Sequence, residues 1–507
     1  MRSPVRPAGY RLRHPVAATA YAVARGTAAA VAWMAAVACL TVSRAQAQGI
    51  RISGVTALQY VELRPLVTDS APIATLPGTG EWRTSPGGVP ALCSDVTGFC
   101  RFERSGSRLG AMPLLQDLTV VGWGGMEGLS FRADVRGRTR AGSAGFAWPR
   151  ADDHFDVLDA YAELERGPWH GRLGRQWITG GLGTYNFDGA DATWRRAAWA
   201  VEGWAGRALL GGLNDTYTSS ELAAVENLPP GDGGLIFGVR GRYRPDARNA
   251  ATLLYQRILV ADRSGLYSER VAFDASMRRL GAQADLTLTY DLAFGDWNEA
   301  RVRIGTGAYR STGASLEVRR SRPYFDLWTI WGAFAPVGFD EARATAFWKL
   351  PRMPVTFSAR GAYRLYAPTD AGFELRTNGW RAGGDATWTP SATMVVTGSY
   401  DVDIGSGAAN SDGRLAARWL PQSDWSLGMD LSVTQNIYEF RVGTGRIYGV
   451  ALTGSMPVRP DVRLAVDAGL FQHVLSNGAA GPDWTQRRVS ARLEWTVGRD
   501  PGLGAMR

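Results

Sequence analysis

The chain has 507 residues, 45% of them hydrophobic and 20% charged, with 62 glycines, 19 tryptophans, three cysteines and a formal net charge of +9. That apolar and aromatic content excludes a disordered chain, the lack of a Gly-X-Y period excludes a collagen-like one, and so few cysteines exclude a disulfide scaffold or a zinc-finger array. Glycine at 62 of 507, about 12%, stands above the usual ~7%, and Lys349 is the only lysine, so 56 − 1 = 55 basic residues are arginines.

Residues 1–47 read as a secretory leader. Arg2, Arg6, Arg11, Arg13, Arg25 and Arg44 occur with no acidic residue, an apolar run extends from Thr27 to Val42, and Ala45-Gln46-Ala47 makes a small-x-small cleavage pattern. The run is short of the ~20 residues of a membrane-spanning helix. Cleavage after Ala47 is expected. It removes six basic residues, leaving 50 − 47 = +3. The usual argument from basic charge to nucleic-acid binding then loses its support.

A first strand is expected over Ile50–Leu63, followed by a long Gly/Pro/Ser-rich loop at 64–113. Cys93 and Cys100 lie in this loop, and after export they are expected to form a local disulfide. From there on the signal is period-2 alternation. In 131–140, Phe131, Ala133 and Val135 oppose Arg132, Asp134, Arg136 and Arg138. The same pattern recurs over 283–294, 299–310, 355–364, 396–404, 425–434 and 488–497. Alternating residues point to opposite sides of a strand, so each segment has one apolar and one polar face. Many segments hold the pattern for ten or more residues, the ~9–11 a tilted membrane strand needs, rather than the ~5–6 of a soluble sheet. Trp123, Trp169, Trp297, Trp388, Trp419 and Trp425 fall at turn ends, as in an interfacial aromatic girdle.

Short turns (124–128, 167–171, 245–249, 295–298, 351–354, 390–392, 421–424, 457–461) alternate with longer loops (64–113, 141–153, 211–234, 367–379, 405–413, 476–483). The stretches 211–234 and 311–339 break strict alternation, so a strand is missed or invented there. The expected fold is all-β: a closed antiparallel transmembrane β-barrel of about 18–20 strands, forming a single domain over residues 48–507. Closure removes exposed strand edges and gives every backbone polar group a partner within lipid.

The leader, the long dyads, the tryptophans at turn ends and the final strand Arg488–Val497, with Leu493, Trp495 and Val497 alternating, make residues 49–497 resemble Gram-negative outer-membrane β-barrels. The tail Gly498 to Arg507 departs from that family, whose members end on an aromatic residue. Gly171-Arg172-Leu173-Gly174-Arg175-Gln176, Gly180-Gly181-Leu182-Gly183 and Asn186-Phe187-Asp188-Gly189 are similar to porins of the alginate-export type. The resemblance implies a place in the cell outer membrane, contact with outer-membrane lipid and lipopolysaccharide, insertion by the barrel-assembly machinery, and porin-like transport.

If the apolar faces meet lipid, the polar faces line a lumen. Pore-lining candidates are Arg136, Arg138, Arg301, Arg303, Arg360, Arg364, Asp134 and Asp285. Rings of arginine favour anionic solutes, whereas arginine–acid pairs would simply staple the wall. Arg319, Arg320 and Arg322, ahead of the aromatic run 323–331, form a candidate constriction; the alternative is a loop entering an ordinary lipid-facing strand. His154, His170 and His473 are the only histidines after the leader, and no nucleophile elbow, His-Glu-x-x-His or Walker loop occurs. No enzyme activity, cofactor or metal is therefore expected. The expected function is passive diffusion of small polar or anionic solutes through an outer-membrane channel. Adhesin, receptor or plugged-transporter roles are the alternatives.

Overall fold

The computed structural model describes residues 49–498, apart from 65, 80–81, 86–89, 125, 143–153, 210–233, 260–265, 307–310, 323–337, 368–376, 406–408, 423, 437–444 and 476–482. The expected leader, the aromatic run 323–331 and the tail after Gly498 lie outside the described residues.

Alternation becomes strand almost throughout. β1 (Ile50–Leu63) leads into five short strands, β2 (Leu66–Pro72), β3 (Gly78–Thr79), β4 (Trp82–Thr84), β5 (Pro90–Ser94) and β6 (Phe99–Ser105). Long strands follow: β7 (Leu109–Trp123), β8 (Leu129–Gly142), β9 (His154–Arg166), β10 (Trp169–Gly180), β11 (Gly183–Arg196), β12 (Trp199–Ala208), β13 (Leu235–Tyr243) and β14 (Asn249–Leu259). Next come β15 (Leu266–Arg279), β16 (Ala282–Asp291), β17 (Asp296–Thr306), β18 (Thr312–Ser321), β19 (Phe339–Lys349), β20 (Val355–Tyr366) and β21 (Asn378–Ser391). The last are β22 (Met394–Ile404), β23 (Ala409–Trp419), β24 (Ser426–Asn436), β25 (Gly445–Arg459), β26 (Val462–Leu475) and β27 (Trp484–Gly498).

β1 and β7–β27 form one 22-stranded antiparallel sheet in which each strand pairs with the next. β27 returns to β1, in register from Arg51↔Gly498 to Val61↔Arg488, so the sheet closes and keeps no free edge. The outer face is apolar across strands. Val302 and Ile304 on β17 stand opposite Val318 and Leu316 on β18, and all four are exposed. Leu431 and Met429 on β24 face Val450 and Leu452 on β25 in the same way. Water would penalise such a continuous apolar belt, whereas hydrocarbon does not.

The barrel has 22 strands, against the expected 18–20 or so. The difference lies in two-residue turns with weak turn signals. Ala197–Ala198 joins β11 to β12, and Leu280–Gly281 joins β15 to β16. Ala197 and Leu280 each take a left-handed φ of 51°, a conformation usually left to Gly, Asn or Asp, so the first turn carries no turn residue and the second only Gly281. The broken alternation near 311–339 also resolves. Ile50 and Gly498, the first and last residues of the barrel sheet, share one rim, and the short connections are gathered there. The connections at 181–182 and 292–295 are short yet belong to the opposite, long-loop rim. At the second, Asp291 Oδ1 accepts the N–H groups of Ala293 and Phe294 at 2.9 and 3.0 Å, which stops the strand before the apolar Leu292 and Phe294 that seemed to extend it.

Part of the long loop at 64–113 is folded. Residues 66–105 form a separate five-stranded sheet in the order β2-β6-β5-β4-β3, over a small core of Leu76, Ala91 and Cys100 backed by Ile73 and Phe102. Cys93 on β5 and Cys100 on β6 are direct cross-strand partners and are disulfide-bonded. The composition pointed to a loop because these strands are only two to seven residues long.

Candidate functional site: the lumen

Many inward positions are charged, and these are held by partners on neighbouring strands or two residues along the same strand. Arg136 Nε donates to Asp117 Oδ1 at 2.6 Å, and Arg138 Nη2 lies 3.0 Å from Asp156 Oδ2. Asp134 takes Arg132 at 2.6 Å, and Asp285 accepts Gln283 Nε2 at 2.8 Å. Arg301 donates to Thr287 Oγ1 at 2.9 Å, while Arg303 reaches Ser315 Oγ at 3.5 Å. Arg360 bridges two acids, Asp385 at 3.1 Å and Asp401 at 2.8 Å. Arg364 is paired with Glu341, which also takes Arg343 at 2.7 Å and Arg319 at 3.4 Å. On this wall the arginines are stapled, with acids and guanidiniums interleaved from β16 to β23.

The candidate constriction Arg319–Arg320–Arg322 is part of that wall or its end. Arg319 and Arg320 are adjacent in β18 and therefore point to opposite faces, Arg319 inward to Glu341 and Arg320 outward with Leu316 and Val318. Arg322, just past the strand, lies 2.6 Å from Asp296. His170 approaches Glu163 at 3.4 Å, and His473 stacks on Trp484 at 4.4 Å between ring centres, so the two histidines serve different neighbours.

Among the described residues, the element that enters the lumen is the β10–β11 hairpin. β9 pairs with β10 only as far as Ala160↔Arg175, and β12 pairs with β11 only from Ala208↔Phe187. Beyond those points residues 176–185 pair only within the hairpin itself. Their side chains meet strands as far as five places round the barrel. Ile178, Leu182 and Phe187 form one buried cluster with Trp204, Ala208, Ile236, Leu254, Ile258 and Ala272 of β12–β15. These wall residues have the lumen parity: Ile236 shares its face with Arg240, whereas the alternate Leu235 and Val239 are exposed outside. Asn186 and Phe187 are consecutive, point to opposite faces, and are both fully covered.

Several polar contacts fix the hairpin. Arg240 Nη1 donates to the Thr179 carbonyl at 2.6 Å while its Nε holds Glu202 at 2.7 Å. Arg270 Nη2 donates to the Leu182 carbonyl at 3.0 Å and also meets the Tyr185 hydroxyl. A β-bulge skips Leu158 on β9, and its freed carbonyl accepts Trp177 Nε1 at 3.0 Å and Asn186 Nδ2 at 2.9 Å. The bend is built on glycine. Gly174, Gly189 and Gly206 are in register on β10, β11 and β12. Gly174 has φ +131°, and a Cβ on Gly189 would lie 2.6 Å from Gly206 Cα. Burying Ile178, Leu182 and Phe187 contributes about 1.5–3 kcal/mol apiece. That offsets ladder hydrogen bonds, worth ~1 kcal/mol each, forgone where the hairpin leaves its neighbours.

Sequence reading treated the Gly180–Gly183 run only as a family likeness. A signal was present in the wall: Leu235-Ile236-Phe237 and Leu253-Leu254 are apolar on both faces, a local loss of alternation that marks an inner wall covered by something else. Below the hairpin a cavity of about 270 Å³ is lined by Glu163, His170, Arg172, Glu202, Arg240 and Arg242 among others.

No family model matches the chain, and no curated protein does. Among solved structures, the translocation pore of the P pilus usher PapC is 9% identical with a TM-score of 0.44, covering 89% of this chain and 100% of its own. OccK8 (OprE) of Pseudomonas aeruginosa is 9% identical with a TM-score of 0.38, covering 89% and 98%. The Pseudomonas aeruginosa outer membrane protein OpdK is 11% identical with a TM-score of 0.37, covering 89% and 99%.

Proposed function

We propose that the chain is an outer-membrane channel of porin type, admitting small polar or anionic solutes by passive diffusion. The carrying observation is the pairing of a continuous apolar exterior with an ionic interior in a closed sheet of 22 strands. At that strand number the interior is wider than side chains alone can fill. A wall of charged pairs such as Arg360 with Asp385 and Asp401 keeps the interior wetted. Exposed Trp169, Trp199, Trp388 and Trp419 beside short connections suit a membrane interface. The chemistry of the wall is fixed donors and acceptors rather than a reacting group, which suits passage and not catalysis. Because most arginines are neutralised locally, discrimination between ions should be modest and lean to anions. Reconstitution of the purified chain in planar bilayers tests this, with discrete conductance steps expected.

A further inference from the structure

We infer that the β10–β11 hairpin is the size-determining element of the lumen, seated by Arg240 and Arg270 as positioning residues. This rests on the channel reading above and says which part of the chain limits what passes. Three independent features carry it. The hairpin leaves the sheet on both edges at once, beyond Arg175 and before Phe187. It leaves along a registered glycine line, so the departure is built into three neighbouring strands. Its tip is bound by two buried arginines from β13 and β15 through the Thr179 and Leu182 carbonyls.

The consequence is spatial and chemical. The hairpin covers the apolar inner wall of β12–β15, where Ile236 and Ile258 are fully buried. A solute therefore meets the remaining sector, with its ion pairs on β16–β23 and the cavity beneath the hairpin, where Arg172, Arg240 and Arg242 stand with Glu163 and Glu202. The open cross-section is smaller than that of a bare 22-stranded ring, and the surface left to the solute is polar. Small hydrated solutes with acceptor groups fit such a path, and bulky or apolar ones do not.

The test is a shortened chain in which Trp177–Asn186 is replaced by Asn-Gly. Gln176 and Phe187 are already cross-strand partners, so a two-residue turn closes the shortened hairpin within the wall. Full and shortened chains are compared by single-channel conductance and by exclusion of neutral polyethylene glycols of graded size. At least about a twofold rise in conductance, with larger polymers admitted, is expected of the shortened chain. Equal conductance and equal exclusion overturn the inference and leave the channel reading standing. A silent full chain with a conducting shortened one overturns the open-channel reading and makes the hairpin the closing element. Silence of both overturns both.

A second variant covers failure of the shortened chain to fold. In G181C/A272C the built Cβ of residue 181 lies 3.2 Å from that of residue 272, near the ~3.5–4.5 Å of a disulfide. Residue 181 is at the tip of the hairpin and residue 272 is on β15, which neighbours neither β10 nor β11 in the sheet. A spontaneous crosslink in the folded full-length barrel, seen as a reducible mobility shift, is expected, with unchanged conductance on reduction. Absence of the crosslink overturns the inference.

Discussion

Glu341 on β19, 2% exposed, is enclosed by Arg319, Arg343 and Arg364 from three strands. Removing the acid leaves guanidiniums facing each other where little water reaches, and breaking a buried pair costs about 3–5 kcal/mol. Glu341→Ala is expected to lower the urea midpoint of the folded barrel, with Glu341→Asp recovering part of it. Asp246, in the short connection 244–248, is a contrasting acid. It is fully exposed, and the N–H groups of Arg248 and Asn249 hold its carboxyl below the ordinary 3.8. A depressed folded value stabilises above the unfolded one and is lost as pH falls through the folded value. Asp246→Asn should therefore differ from the parent in urea midpoint above about pH 4 and converge with it in stronger acid. Alternation made the inward face of Arg136, Arg301, Arg360 and Arg364 legible in the sequence. It could not name their partners, because Arg360 finds Asp401 two strands away and only the register decides that.

At the level of elements, the long dyads were readable as strands, with ends displaced by up to four residues, as for 299–310 against β17 (Asp296–Thr306). β1 runs over Ile50–Leu63 as expected, and the expected final strand 488–497 lies within β27. What escaped were features in which local propensity yields to tertiary context. The turns at Ala197 and Leu280 place ordinary residues at positive φ. The β10–β11 hairpin follows the strand pattern yet leaves the wall and buries Ile178, Leu182 and Phe187 against β12–β15. The insert β2–β6 was hidden by its short strands, and its core is small enough that the disulfide matters. A bridge between residues seven apart contributes about 2.5 kcal/mol in the loop-entropy picture. Cys93→Ser with Cys100→Ser is expected to make residues 66–105 protease-sensitive at lower denaturant while the barrel stays folded, read by limited proteolysis and mass spectrometry.

The whole molecule joins two solvents through one sheet. Its moderate hydrophobicity of 45% is what a wall with one face in lipid and one in water requires. Its glycines let strands bend and rings lie flat, as where Trp204 crosses Gly238 and Phe347 crosses Gly313. Closure was foreseeable from length and alternation, whereas the number of strands was not, since it depended on two-residue turns such as Ala197–Ala198 with little turn signal. Stapling of the lumen arginines also changes the expected selectivity, because little of the arginine excess remains as uncompensated field. The most direct measurement is the single-channel current of the purified chain in a planar bilayer under a potassium chloride gradient. Discrete, ohmic steps with a modest preference for chloride are predicted; a correctly folded barrel that produces no steps above the lipid baseline would contradict the account.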